Sequence, residues 1–268
     1  MSSKLASLVG ISLAAAAPAS AAGDLLVAPT RIVLDGARGT EVILNNIGSE
    51  TATYRISLEL RRMTASGTLE DVKAPTADEQ AALAMIAFAP RRVTLAPNQP
   101  QAIRIGVRAP QGLADGEYRA HMLFRAIPDA RPATAPKAAG GGISIALKPI
   151  YGLTIPIIVR RGKLEAVAGI ANVKLVTVDG RQGVSFDLSR TGTRSVYGEV
   201  RVLKAGIDKP VVLTRGIAVY REIGLRTVTL PVQAGVTASI AGPATIQYVE
   251  QAEDGSQRTL AEARVVLR

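Results

Sequence analysis

The chain lacks most of the residue types on which enzyme active sites depend. It has no cysteine and a single histidine, His121, among its 268 residues. Disulfides and thiolate metal sites are therefore excluded, and there is no histidine cluster with zinc spacing. No serine lies in a nucleophile-elbow pattern, and no glycine-rich phosphate loop joins a strand to a helix. We therefore expect no catalytic residue, no metal site and no cofactor, and we predict that the chain is not an enzyme.

Aromatic side chains are also scarce. They make up 3% of the residues, and tryptophan is absent. Proteins that bind single-stranded nucleic acid or sugars commonly stack their ligands on aromatic rings, so such modules are disfavoured. The net charge of +10 at pH 7 is spread along the chain, with no basic run longer than two residues. We expect no nucleic-acid binding, and the basic surface fits a soluble protein, with acidic partner proteins as the alternative.

Residues 1–21 have the composition of a cleavable export signal. Lys4 supplies the positive start, residues 5–17 the apolar stretch, and Ala19-Ser20-Ala21 a small-residue cleavage site. The apolar stretch is shorter than the roughly 20 residues that a membrane span requires. We expect export to a bacterial periplasm without membrane insertion.

Polar and apolar residues alternate from residue 25 onward, which is typical of strands. The all-β pattern predicts two β-sandwich domains, at 22–161 and 162–268, because turn signals recur every 10–15 residues or so. The predicted strands of the first domain are 25–34, 40–47, 52–63, 91–95, 101–107 and 117–126. Those of the second are 163–170, 183–188, 197–203, 211–214, 226–232, 245–250 and 260–267.

One short helix is predicted inside the first domain. Thr76 and Glu79 have the spacing of a capping box, in which each side chain accepts a hydrogen bond from the other residue's backbone. The following residues continue for about two turns, and Pro90 is expected to end the helix.

The stretch 143–160, ISIALKPIYGLTIPIIVR, is the longest strand-like segment. It follows residues 127–142, which are rich in proline, alanine and glycine and are expected to form a mobile linker. A long apolar strand at a sheet edge promotes pairing with other chains. The segment is therefore expected either to be buried on both faces or to serve a partner.

Four short blocks resemble the periplasmic pilus-assembly chaperones, the PapD-like family, and occur in that family's order. They are T-R-I-V-L-D-G at 30–36, L-A-P-N at 95–98 followed by I-R-I at 103–105, F-R-A-I-P at 124–128, and I-S-I-A-L at 143–147. The second domain matches only in length and strand content. The chain is similar to a divergent member of that family.

The resemblance implies an all-β fold of two immunoglobulin-like sandwiches set at an angle. It also implies a chaperone that binds pilin or fimbrial subunits by donor-strand complementation, without ATP. Such recognition adds a strand from one protein to an open sheet of another. The donor strand is implied at 143–160, with Ile143, Ile145 and Leu147 on one face by parity. An outer-membrane usher is implied as a second partner. Self-capping into an oligomer is expected, since a free edge of this kind would otherwise aggregate.

The resemblance also implies roles for charged residues. Arg31 would bind the subunit's C-terminal carboxylate, together with a lysine late in the donor strand. Counting along the strand places that lysine at Gly152 or at Pro156, neither of which is basic, so Lys148 is the remaining candidate.

A second implied role concerns the contact between the domains. Glu117 and Arg160 match residues that fix the angle between the domains by an ion pair, although both could also be ordinary surface charges.

A different class of function stays open, that of a secreted two-domain structural subunit or adhesin. A polymerising subunit should carry a donor strand near its mature N-terminus. Residues 23–34 instead have the pattern of an integral strand, which favours the chaperone. A glycan-binding module is disfavoured by the shortage of aromatic residues.

Overall fold

The computed structural model describes residues 25–35, 39–128, 150–236, 238–251 and 255–268. The predicted export signal and the segment that contains Ile143, Ile145, Leu147 and Lys148 lie outside these ranges.

The first half of the chain forms a β-sandwich. Its two sheets have the strand orders β1-β3-β9-β7 and β2-β11-β10-β4-β8, and β5 and β6 form a separate hairpin. The elements are β1 Leu25–Ala28, β2 Ile32–Asp35, β3 Thr40–Asn46, β4 Ala52–Glu59, β5 Arg61–Met63, β6 Leu69–Asp71, α1 Ala77–Met85, β7 Ile86–Ala89, β8 Arg92–Leu95, β9 Pro100–Val107, β10 Gly116–Ile127 and β11 Gly152–Arg161.

Alternate residues of both sheets fill one core. Leu44 and Ile103 from the first sheet pack with Tyr54, Phe124 and Ile155 from the second, and all five are buried. The alternation predicted from the sequence therefore places one face of each sheet inside, as the two-residue repeat of a strand requires.

The predicted single strand over 25–34 is wrong. β1 pairs with β3 in one sheet, whereas β2 pairs in parallel with β11 in the other. Pro29 lies between them and has no backbone N–H to continue a ladder. The chain therefore crosses from sheet to sheet at 29–31 and leaves Arg31 at the start of β2.

The predicted helix is confirmed at its start and differs at its end. Thr76 is the N-cap, and both hydrogen bonds of the capping box with Glu79 are present. The helix ends at Met85, five residues before Pro90, because residues 86–89 pair with β9 as strand β7. Pairing with a neighbouring strand thus ends the helix before the proline does.

The second half forms another sandwich. Its sheets have the orders β12-β13-β16 and β15-β14-β17-β18 around a core that includes Val184, Phe186, Val200, Ile246 and Tyr248. The seven predicted strands are present, most of them longer than expected: β12 Ala166–Val178, β13 Arg181–Gly192, β14 Val196–Leu203, β15 Val212–Val219, β16 Leu225–Pro231, β17 Gly242–Gln251 and β18 Gln257–Leu267. The predicted pair of β-sandwiches, with one helix in the first, is confirmed.

Within the described ranges, no helix has the length and apolar character that crossing a membrane requires.

Candidate binding cleft between the sandwiches

The outer face of β10 is the surface on which the second sandwich packs. Tyr118, Met122 and Phe124 point into the first core, so Glu117, Arg119 and His121 point the other way. Each of the last three contacts a residue of the second sandwich, as described below. Polar residues that alternate with core residues along β10 thus form a contact between the two halves rather than a solvent-exposed face.

Glu117 connects the two sandwiches through a buried carboxylate. Arg160 donates from Nε to Oε2 of Glu117 at 3.0 Å, so the two residues paired by the sequence resemblance do meet. The backbone N–H of Ser195 donates to Oε1 at 3.0 Å and its hydroxyl donates to Oε2 at 2.9 Å. Glu117 is only 5% exposed. A buried carboxylate that accepts hydrogen bonds from three donors should stabilise the folded protein more than an exposed pair of surface charges would.

Glu222 makes a second connection, which the sequence did not indicate. Its carboxylate accepts hydrogen bonds from the guanidinium of Arg119, the shorter at 2.5 Å, and from the backbone N–H of Met63 at 2.7 Å. The Arg119 guanidinium also lies over the ring of Tyr220, 3.7 Å from its centre. This connection depends on how the two sandwiches pack against each other, which no local sequence pattern indicates.

The β5–β6 hairpin, residues 61–71, reaches from the first sandwich onto β16. The backbone N–H of Thr227 donates to the carbonyl of Ala65 at 2.9 Å. Gly67, with φ +87°, lies so close to Arg226 that an added Cβ would be 2.2 Å from Nε of that side chain. The Ser66-Gly67 dipeptide is a turn signal that could have revealed the hairpin.

A cleft of about 770 Å³ opens between the sandwiches beside β2 and β11. Its lining includes the arginines Arg31, Arg160, Arg161 and Arg194 and the carboxylates Asp35 and Glu250. Arg160 is bound by Glu117, and Arg194 donates to Glu250 at 3.0 Å. The lining therefore has more positive than negative side chains, and two of its cations already have acidic partners.

Arg31 has no such partner. Its Nε is buried without a hydrogen bond, and no carboxylate of the described residues pairs with its guanidinium. Burial, and after it the Arg160 cation, lower the pKa of Arg31, yet a guanidinium stays charged at neutral pH. Its one described contact of note is stacking on Tyr197 of the second sandwich, 4.4 Å from the ring centre. A half-buried cation that makes no ion pair is costly, which makes this position suited to an anion.

The second basic residue of the predicted pair is not where the family pattern places it. Ile32 lies opposite Ile157 in the parallel β2–β11 pair, which brings Arg31 level with Pro156. Of the two positions considered from the sequence, Gly152 and Pro156, it is therefore Pro156 that lies beside Arg31, and its side chain carries no charge. Arg161 is the other arginine of the cleft with a buried Nε that has no hydrogen-bond partner. Lys148 lies outside the described residues.

The first half of β11 is open on one side. The carbonyl of Tyr151 accepts a hydrogen bond from the backbone N–H of Ala126 at 3.0 Å. In an antiparallel ladder the backbone groups of odd-numbered β11 residues therefore bond to β10, and those of even-numbered residues face the opposite side. On that far side β2 pairs with residues 157–160 only. No described strand pairs there with Gly152, Thr154 or Pro156.

The side chains at this open stretch are unusually apolar for a surface. Ile150, Tyr151 and Leu153 are 49%, 51% and 38% exposed. Exposed apolar residues beside unpaired backbone groups are typical of a strand that accepts another strand. The open stretch, 152–156, ends at the level of Arg31, the residue that immediately precedes β2.

No group of three or more metal-binding side chains is found in the described ranges.

No family model matches this chain, and no curated protein matches it in sequence. Several solved structures match over nearly the whole length. The YadV chaperone is 12% identical, with a TM-score of 0.49, and covers 91% of this chain and 100% of its own. The CupB2 chaperone of Pseudomonas aeruginosa is 13% identical, with a TM-score of 0.47 and coverage of 91% and 100%.

A third match is a complex. The CsuC–CsuE chaperone–tip adhesion subunit pre-assembly complex of Acinetobacter baumannii matches at 12% identity and a TM-score of 0.46, covering 92% of this chain and 100% of that chain. Such identities are too low to transfer the role of any single residue. By their names, the three matches are two chaperones and one chaperone–subunit complex, and each has a TM-score below 0.5.

Proposed function

We propose that this chain is a periplasmic chaperone that binds and caps pilin-type or fimbrial subunits by strand addition. The observation that carries the proposal is the open stretch 152–156 of β11 ending at Arg31, a half-buried cation that makes no ion pair with a described carboxylate and whose Nε has no hydrogen-bond partner. The class of client follows from the motifs at 30–36, 95–98, 124–128 and 143–147, which resemble pilus-assembly chaperones.

The position of Arg31 gives the added strand a direction. A strand placed beside 152–156 lies in line with β2 and meets Arg31 at one end. Running parallel to β11, it presents its C-terminal carboxylate to the guanidinium. Running antiparallel, it would present its positive N-terminus to a cation. Charge therefore favours a parallel strand that ends the client chain.

The two parts of the site differ in what they contribute. A backbone hydrogen bond contributes about 1 kcal/mol net whatever the sequence, while one to a charged group contributes about 1.5–3 kcal/mol. Pairing along 152–156 therefore supplies affinity with little selectivity. The carboxylate contact fixes which residue of the client meets which residue of β11.

Ile143, Ile145 and Leu147 are proposed to extend the pairing by filling the client's open core. Alternation puts the three on one face of a strand. Arg161 is the second cation that the cleft geometry favours, and Lys148 is the candidate from sequence. An usher as the receiving partner, and self-capping of the free chaperone, complete the proposal.

Co-expression with candidate subunits encoded in the same operon tests the proposal. Arg31→Ala and Ile145→Asp are expected to reduce co-purified subunit at least about tenfold, which corresponds to 1.4 kcal/mol. Arg104→Ala is the matched control, since Arg104 is exposed on β9, in the other sheet. Undiminished complex with both Arg31→Ala and Ile145→Asp would overturn the proposal, and fibres built from this chain itself would favour the structural-subunit alternative.

A further inference from the structure

We propose that Tyr197 is a positioning residue that holds the Arg31 guanidinium ready for a carboxylate. The inference rests on the proposed function and adds to it a residue of the second sandwich, on which the anion site of the first sandwich depends.

The mode of contact is what distinguishes Arg31 from its neighbours. Arg160 and Arg194 are held in the cleft by carboxylates, which occupy their N–H donors. Arg31 is held through its face, with its central carbon 4.4 Å from the centre of the Tyr197 ring. The donors of a guanidinium lie in its plane, so stacking fixes the group without using any of them.

The support beneath Tyr197 is rigid. The residue belongs to β14, which is hydrogen-bonded to β15 on one side and β17 on the other. Its neighbour Val196 is fully buried. A ring mounted on a central strand loses little freedom when an arginine stacks on it, so the guanidinium is already oriented before the client arrives.

The hydroxyl of Tyr197 is dispensable in this scheme. It makes no hydrogen bond to another described residue, and only the ring face meets Arg31. Tyr197→Phe should therefore preserve the site, whereas Tyr197→Leu keeps an apolar side chain and removes the ring. The pair separates a stacking role from general packing.

The test measures binding of an acetylated hexapeptide of alternating threonine and valine, made with a free C-terminal carboxylate and, separately, as the C-terminal amide. For Tyr197→Leu we expect the free acid to bind about fivefold more weakly, as for a half-exposed cation–π contact of about 1 kcal/mol. We expect Tyr197→Phe to match the wild type. Binding of the amide should be the same in all three proteins.

Arg31→Ala separates failure of this inference from failure of the proposed function. If Arg31→Ala removes the preference for the free acid and Tyr197→Leu does not reduce it, the positioning role is wrong and the anion site stands. If Arg31→Ala also leaves the preference intact, the anion site itself is wrong. Equal weakening of acid and amide in Tyr197→Leu would show a packing role and would overturn the inference.

A fluorescent variant gives a second measurement that does not require losing the ring. The chain has no tryptophan, so Tyr197→Trp introduces a single reporter stacked on Arg31. Its emission should change when the free-acid peptide is added and should not change with the amide or in an Arg31→Gln background. An emission insensitive to the free acid would contradict the proposal.

Discussion

His121 shows how a single side chain at the contact between the sandwiches can carry a property of the whole protein. It is 1% exposed, and neither ring nitrogen has a hydrogen-bond partner in the described part of the chain. Tyr220 packs against it edge-on at 6.4 Å, and burial, followed by the cations Arg119 and Arg61, lowers the pKa of His121 to about 3. The imidazole is therefore neutral in the folded protein under all ordinary conditions.

The free energy of unfolding should decrease as the pH is lowered, because of this one residue. In the unfolded chain a histidine titrates near 6.5. Between that value and about 3 the unfolded state alone takes up the proton, so lowering the pH favours unfolding by about 1.4 kcal/mol per pH unit. Stability is therefore full above pH 6.5 and declines below it. Urea unfolding at pH 7.5, 6.5 and 5.5 measures the slope.

His121→Leu provides the control for this effect. No other histidine exists in the chain, and the carboxyl groups titrate mainly below this range. The variant should show nearly level stability between pH 7.5 and 5.5. A slope equal to that of the wild type would mean that His121 is not the source.

Single residues of the cleft divide into those that the sequence could indicate and those that it could not. Arg31, Glu117 and Arg160 belong to short motifs or to strands with clear alternation, and the structure brings Glu117 and Arg160 together. Tyr197 and Glu222 lie in the second sandwich, more than a hundred residues from what they contact on β10 or at Arg31. Their roles arise from docking between two separately folded units, which no local pattern encodes.

Among the elements, the β5–β6 hairpin pairs within its own sheet and also contacts the second sandwich. Gly67 at its turn has a positive φ and lies against Arg226, whose guanidinium donates to the carbonyl of Ala218 at 2.7 Å. Any side chain at position 67 must displace that guanidinium. An alanine at position 67 would therefore require both a strained backbone and a shift of the Arg226 side chain.

Gly67→Ala should destabilise the protein by more than the backbone cost alone. Gly112 offers a matched control because its φ of +77° is similar and nothing lies within 4 Å of where its Cβ would be. We expect Gly67→Ala to cost about 1–2 kcal/mol more than Gly112→Ala, the value of a lost hydrogen bond and disturbed packing. Chemical unfolding of both variants measures the difference, and equal losses would mean that the hairpin tip yields freely.

The strands and the helix also show where sequence patterns are sufficient to predict an element. Alternation located most strands because one face of each sheet is buried, and a capping box located the start of α1. The break between β1 and β2 was missed, since both strands, LLVA and IVLD, are mostly apolar and resemble one continuous strand. The hairpin was missed because β5 was included in the predicted strand 52–63, which the structure divides into β4 and β5, and because β6 has only three residues.

For the molecule as a whole, two carboxylates join the sandwiches from opposite directions. Glu117 reaches from the first to Ser195 of the second, and Glu222 reaches from the second to Arg119 and Met63 of the first. Their donors are largely buried, so losing either acceptor leaves unpaired polar groups at the contact. The relative position of the halves should therefore depend on both.

Glu117→Ala should cost about 3 kcal/mol, since it leaves Arg160 as an unpaired, largely buried cation. Combined with Glu222→Ala, it should separate unfolding into two calorimetric transitions, one for each sandwich. Glu262→Ala is the control, because both contacts of Glu262 are exposed and lie within the second sandwich: its carboxylate accepts from Gln247 at 2.9 Å and lies 3.6 Å from an 86% exposed Arg264. Its loss should cost less than about 1 kcal/mol. A double variant that still unfolds in a single unshifted transition would refute this coupling.

The alignment of β2 with the open stretch of β11 has a consequence for which proteins can be clients. β2 occupies the continuation of the line beyond residue 156, so an added strand has nowhere to go past Arg31. A strand in the middle of a polypeptide would have to turn away sharply, while a terminal strand simply stops. Under the proposed function the chaperone recognises the end of a chain as well as its surface. A subunit extended by even a short tail should be released or bound out of register, although its own fold is unchanged.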